Sequence, residues 1–229
     1  MFSNNLLMAA GGAKVGPAVV TYIGTETPFT GNASVYTFSG ASIGTASADR
    51  IVVVFSGSSS GTTPSSIAMT VGGINCTIID TTASESRYAI GYAVVPTGTT
   101  ADIVVTFGSD GNFCGCAVWT VTQADTTAHD SDTLSLPYSP SGNALSQTST
   151  LDVPAGGVVI AAVEAGYSSS ESWTWTNIDE DLDESIDAGA RQSGGSKAYA
   201  EIQTGLVITG RRTAEANNLN QIAISFGPA

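Results

Sequence analysis

Positive charge is scarce in this chain. Lys and Arg number 7 against 20 Asp and Glu, a formal charge of −13 over 229 residues. Phosphate backbones and anionic membrane surfaces recruit clusters of Lys and Arg, and Arg211-Arg212 is the only basic pair. Neither nucleic-acid binding nor membrane insertion is therefore expected. Charge of either sign is low too, at 12% of residues, against a usual share of about 25%. Long apolar runs are missing, so no segment reads as a bilayer-spanning helix. A sustained 3.6-residue period is also missing, which argues against alternating βα units and the enzyme folds built on them. Disorder is excluded by a hydrophobic content of 42%.

Histidine and cysteine are nearly absent. The single His129 lies in the polar stretch 125–132 and is followed by Asp130. A Ser-His-Asp triad needs only one His, but no Gly-x-Ser-x-Gly elbow accompanies it. It is read as an exposed loop residue. The three cysteines are Cys76, Cys114 and Cys116. Cys114 and Cys116 point to one face of a strand, a spacing that does not reach disulfide geometry easily. Their one-residue spacing, with no second ligand pair, does not fit a thiolate zinc site. They are read as small buried hydrophobes, and neither a metal nor a cofactor is expected.

What the chain does have is short runs rich in β-branched and aromatic residues, broken by Gly, Ser, Thr and Pro. The clear runs are 35–38, 51–55, 67–71, 76–79, 88–95, 102–107, 114–121, 145–153, 158–163, 172–176, 197–204 and 221–226. The run 88–94 alternates in size, and 102–107 is apolar on both faces at its centre, as covered strands are. The pattern predicts an all-β antiparallel sandwich of jelly-roll or Greek-key type over 19–229. The polar stretch 123–144 is the linker if there are instead two small domains. Two halves echo each other: 50–71 resembles 157–175, and Val95-Pro96-Thr97-Gly98 resembles Val153-Pro154-Ala155-Gly156. The strongest helical candidate is 179–190, with Leu182 and Ile186 four apart; it is equally an acidic loop. Thr213 to Asn220 is a further candidate turn.

Residues 1–18 read as a short extended N-terminal arm. The patch Leu6-Leu7-Met8 has no basic residue before it, so it does not read as a secretory signal. Phe2, Leu6, Leu7 and Met8 are the candidate anchoring residues, docking on the chain's own fold or on a neighbouring subunit.

Three other groups carry candidate chemistry. Trp173 and Trp175 share a strand face beside Tyr167; exposed, they would stack on sugar rings, and buried, they are core. Glu164, at the end of an apolar strand, and Glu201 form the one carboxylate pair to test for glycoside hydrolysis, which requires two carboxylates facing a cleft. The acidic run Asp179–Asp187 offers oxygen ligands for calcium, but without the ligand spacing or glycine of an EF-hand loop. A solvated acidic segment and a surface for a basic partner are its other readings.

Two sets of residues carry a family resemblance. The opening Ser3-Asn4-Asn5-Leu6-Leu7-Met8-Ala9-Ala10-Gly11-Gly12 resembles a short leader on assorted phage virion proteins. The second set is Arg50-Ile51-Val52-Val53-Val54, Val71-Gly72-Gly73, the stretch from Val95 to Phe107, and Cys116-Ala117-Val118-Trp119. These resemble a phage and prophage β-sandwich family, the β-rich accessory proteins of tailed bacteriophages, particularly marine ones. The resemblance implies a non-enzymatic virion component assembled in the host cytoplasm, with capsid or tail subunits as partners. A head decoration or cement protein is favoured over a tail-fibre part, and a homo-oligomer is expected. It implies no catalytic residues. A carbohydrate-binding adhesin, such as the receptor-binding module of a tail fibre recognising a host-surface glycan, is the alternative, and a polysaccharide hydrolase a third.

Overall fold

The computed structural model describes residues 16–59, 64–83, 86–136, 146–166, 172–187, 190–213 and 218–229. The anchoring candidates Phe2, Leu6, Leu7 and Met8, and the aromatic candidate Tyr167, lie outside these residues.

Every regular element among the described residues is a β-strand. In the first half of the chain these are β1 (Val19–Ser42), β2 (Ile51–Ser59), β3 (Ile67–Val71), β4 (Ile74–Asn75), β5 (Thr77–Ala83), β6 (Ser86–Val94) and β7 (Thr100–Thr122). In the second half they are β8 (Asp130–Leu136), β9 (Ser146–Val153), β10 (Gly157–Gly166), β11 (Trp173–Thr176), β12 (Asp179–Asp187), β13 (Ala190–Tyr199), β14 (Gln203–Arg212) and β15 (Leu219–Phe226). All pairings are antiparallel. The all-β antiparallel sandwich expected from the pattern is what the chain forms.

The expected runs 102–107 and 114–121 are parts of one long strand, β7, which pairs with β1 along nearly its whole length. Register shifts interrupt that ladder, for instance between Thr30 and Ala33 and between Ala33 and Val35. Such bulges bend a strand and let it pass from one layer to another. The second half of β7 pairs with β2 and its first half with β3. The sheet thereby folds over on itself, and Val52 and Val54 of β2 meet Ile67, Met69 and Val71 of β3 in one core, together with Cys114 and Cys116.

The second half of the chain repeats this order. Its five-stranded sheet runs β8-β15-β10-β13-β12, matching first half of β1, second half of β7, β2, β6, β5. Its three-stranded sheet runs β9-β14-β11, matching second half of β1, first half of β7, β3. The echo between 50–71 and 157–175 is therefore real: both segments run from the central strand of the larger sheet into the smaller one. The second echo is not. Val95-Pro96-Thr97-Gly98 connects β6 to β7, whereas Val153-Pro154-Ala155-Gly156 connects β9 to β10, and these are different corners.

The two larger sheets pack face to face. Ile51, Val53 and Phe55 on one side meet Val158, Ile160 and Ala162 on the other, with Trp119 and Phe226 between them. The alternate residues of the same strands face outward into separate cores: Val52 and Val54 into the first, Val159 and Ala161 against Leu151, Val153 and Ile208. Both central strands are thus covered on two faces, which is why they read as unbroken apolar runs. Outside these cores the halves also meet backbone to backbone, at the bridge Ala124–Pro228 and where the Ala18 amide donates to the Gly156 carbonyl at 2.8 Å.

Two sequence expectations change. Of the candidate helix or acidic loop at 179–190, residues 188–189 lie outside the described residues and 179–187 forms the edge strand β12, where the spacing of four between Leu182 and Ile186 places both on one strand face, buried against the core. Even spacings fit a period of two as well as they fit a helix. The run 197–204 spans a turn between β13 and β14. Of Thr213 to Asn220, residues 214–217 lie outside the described residues.

Arg50, the first residue of the Arg-Ile-Val-Val-Val motif, is fully buried. Its guanidinium donates to the carbonyls of Gly44, Val95 and Thr97, each at 2.8 Å. It ties two loops to the end of the central sheet.

Candidate functional site

The described chain begins beside an apolar groove of about 410 Å³. Its walls include Pro17, Val19 and Val20 from the start of β1, and Gly156, Tyr199 and Ala200 from the turns around β10 and β13. It lies on the seam between the halves. The Ala18 amide donates to the Gly156 carbonyl at 2.8 Å, and the Gly156 amide to the Tyr199 carbonyl at 2.9 Å. Gly156 adopts φ +75° with Pro17 close against it; a Cβ there would lie 3.4 Å from the proline ring. A left-handed turn and a close approach together call for glycine. Val19 stays 44% exposed on the wall. The sequence placed an anchor before this point but had no means of showing the groove, whose far wall comes from residues more than a hundred positions away.

Of the aromatic candidates, Trp173 is core and Trp175 packs half-buried beside it. Trp173 is 3% exposed and packs with Val163, Ala165 and Leu219. Trp175 is half-buried, stacks on Trp173 at 6.4 Å and donates through Nε1 to Ser193 Oγ at 2.8 Å. The guanidinium of Arg212 lies 5.6 Å from the Trp173 ring centre. The two indoles do share a strand face, but the face turns inward, so they offer no open platform for a sugar.

The carboxylate pair is not brought together. Glu164 lies near the end of β10, opposite Gln192 and Asn220, whereas Glu201 follows β13 beside the start of β10, where Gly157 pairs with Tyr199. The seven-residue interval along β10 spans about 24 Å at ~3.4 Å per residue, well beyond the ~5–9.5 Å of a glycosidase pair. Glu201 is exposed and lies in a bend rather than a strand.

Glu164 is instead a wholly buried carboxyl between the halves. Burial pushes it up to about 8, against the opposing influence of Tyr88, Asn220 and Arg212. Burial also pushes the Tyr88 hydroxyl well up, and the nearby Glu164 adds to this. Among the described residues neither carboxyl oxygen of Glu164 nor the Tyr88 hydroxyl has a hydrogen-bond partner of good geometry. Around them, Asn220 Nδ2 donates to Ser86 Oγ at 3.0 Å, and the Gly166 amide donates to Asn218 Oδ1 at 2.7 Å. Gly57 makes room for Tyr88: a Cβ at residue 57 would come within 2.0 Å of the ring. This cluster was legible only as one acid on an apolar strand.

The acidic run of β12 is used piecemeal. Asp181 accepts from Trp119 Nε1 and from Ser196 Oγ, both at 2.7 Å. Asp183 pairs with Arg191 at 2.5 Å, and Glu184 accepts from Thr25 Oγ1 at 2.6 Å. Burial raises Asp181 above the usual carboxylate range, offset by those two donors. Among the described residues no group of His, Cys, Asp and Glu is arranged to hold a metal ion.

His129 is exposed, and its backbone amide donates to the Ser225 carbonyl at 2.8 Å. Cys114 and Cys116 are buried and Cys76 half-buried, all as free thiols. Burial pushes Cys76 and Cys114 up to about 12 and Cys116 well above its ordinary value. Such thiols are inert rather than nucleophilic.

Compared with known protein families, characterised proteins and solved structures, the chain matches none.

Proposed function

We propose that this protein is a non-enzymatic structural component of a tailed-phage virion, an accessory subunit mounted on the capsid or tail through its N-terminal arm. The observation that carries the reading is the apolar groove at the root of that arm. Leu6, Leu7 and Met8 precede it by a glycine-rich spacer, Gly11 to Gly16, and the groove wall leaves Val19 exposed. An arm of this composition exchanged between subunits, or laid into a capsid or tail protein, buries apolar surface on both partners. The fold suits a building block: central strands covered on both faces make a stiff body. Its surface carries few Lys and Arg, the residues that usually keep sheet edges from associating.

In this reading the protein is assembled in the host cytoplasm, resides in the virion and works as a homo-oligomer or beside other virion subunits. The test is deletion of residues 1–12, followed by purification of virions and blotting for the chain. The expected outcome is loss of the truncated protein from particles, with its β-rich circular dichroism and melting temperature unchanged. Normal incorporation of the folded truncated protein overturns the anchor. Absence of the full-length chain from purified particles overturns the virion reading altogether.

A further inference from the structure

The bulged middle of β1 forms a second concavity. It has a volume of about 450 Å³, inside the ~300–1,000 Å³ range of small-molecule sites. Phe29, Thr30, Asn32, Val35 and Thr37 line it. We propose that this groove binds a neutral pyranose sugar chain, with Phe29 as the stacking platform.

Three observations support it. Phe29 is 40% exposed although it belongs to an aromatic cluster. Its ring meets Phe38 nearly edge-on, at 5.0 Å and 66°, and Tyr36 at 5.8 Å and 48°. These neighbours fix the plane of the ring and leave part of it free. An aromatic plane held in place meets the C–H face of a sugar without losing further side-chain freedom.

Second, the backbone that shapes the groove is held in place. The Tyr36 hydroxyl lies 2.6 Å from the Gly111 carbonyl and 2.9 Å from that of Gly31, and accepts from the Ala33 amide at 3.2 Å. One buried phenol thus pins both the bulge of β1 and the bend of β7. Gly31 takes φ +130° within the bulge, a conformation that other residues rarely adopt.

Third, the lining chemistry selects the ligand. Thr30, Asn32 and Thr37 line the groove and are exposed, and their hydroxyls and carboxamide both donate and accept, as sugar hydroxyls require. No charged side chain lines the groove. With a net charge of −13 on the chain, acidic polysaccharides are repelled at long range, which leaves neutral sugars as the class that fits. Of the aromatic residues singled out from the sequence, Trp173 is buried, and Trp175 is half-buried with its ring stacked on Trp173 and its Nε1 bound to Ser193. Phe29 escaped notice because no spacing rule marks a bulge.

The test presents the full-length protein to an array holding neutral bacterial O-polysaccharides, dextran and maltohexaose beside acidic polymers such as alginate. Binding to at least one neutral polymer and to none of the acidic ones is expected. Phe29→Ala should weaken it about tenfold or more, and Asn32→Ala by a smaller factor, with both variants folded by circular dichroism and Phe29→Ala melting somewhat lower for its lost ring contacts. Binding that survives Phe29→Ala, preference for acidic polymers, or no binding to any neutral polymer overturns the proposal. So does Phe29-dependent self-association in sedimentation velocity, which assigns the groove to a second copy of the chain. Phe29→Ala should leave virion incorporation intact, and deletion of 1–12 should leave sugar binding intact. The two readings therefore fail separately.

Discussion

Glu164 is the residue at which charge and packing conflict most sharply. Folded, its carboxyl holds a proton up to about 8; in an unfolded chain it loses that proton near the ordinary value of ~4.3. Between these limits the folded state binds the extra proton, so this group makes stability fall as pH rises from about 4.5 to 8, with no further change above that. Glu164→Gln removes the titration and keeps the shape. The expected outcome is a variant more stable than the parent at pH 8 by a few kcal/mol, with a smaller difference near pH 5. Denaturant melts at both pH values check it. An equal difference at both would mean the carboxyl does not titrate in this window. Arg50 shows the opposite solution to burying a charge: three carbonyls at 2.8 Å satisfy it.

At the scale of the element, β12 shows how a chain poor in lysine guards a sheet edge. An unpaired edge is a template for association, and β12 is the outermost strand of its sheet. Its acids do two things. Asp179, Glu180 and Glu184 stay exposed, which charges the edge. Asp181 turns toward the seam and takes a hydrogen bond from Trp119 of the other half at 2.7 Å. Asp181→Ala should therefore cost about 1–3 kcal/mol, since it strands the indole N–H and the Ser196 hydroxyl. It should also alter Trp119 fluorescence in the folded state. A thermal melt followed by tryptophan emission measures both, and an unchanged melt would show that the bond contributes nothing net.

The whole molecule is two like-ordered halves joined by a core. Among the described residues that shared cluster includes the large buried side chains Phe55, Tyr88, Trp119 and Phe226. A half cut away at the 123–129 connection would expose this face to water, far more apolar surface than a monomer ordinarily tolerates. Residues 16–125 expressed alone should therefore aggregate or self-associate, whereas the full chain should unfold in one transition. Size-exclusion chromatography of the half and calorimetry of the whole decide this. A soluble, monomeric half would mean that the seam is a weak contact between independent units.

The sequence by itself determined the class of the fold. Short β-branched runs bounded by Gly and Pro can bury their apolar faces only in stacked sheets, whereas the packing decided which strands are covered twice: 51–55 and 158–163 are, and 102–107 alternates. It also determined that Cys114 and Cys116 face one core, because side-chain direction alternates along any strand. Tertiary structure decided everything that depends on distant partners. Local pattern could not separate strand from helix at 179–190, since a spacing of four serves both, and only pairing with β13 settled it. Nor could it rank the acids and aromatics. Glu164 and Glu201 lie at opposite ends of a ladder, Trp173 turns inward and Phe29 turns outward, because register and bulges set which face meets water. Neither feature is written in the spacing of the residues that bear the chemistry.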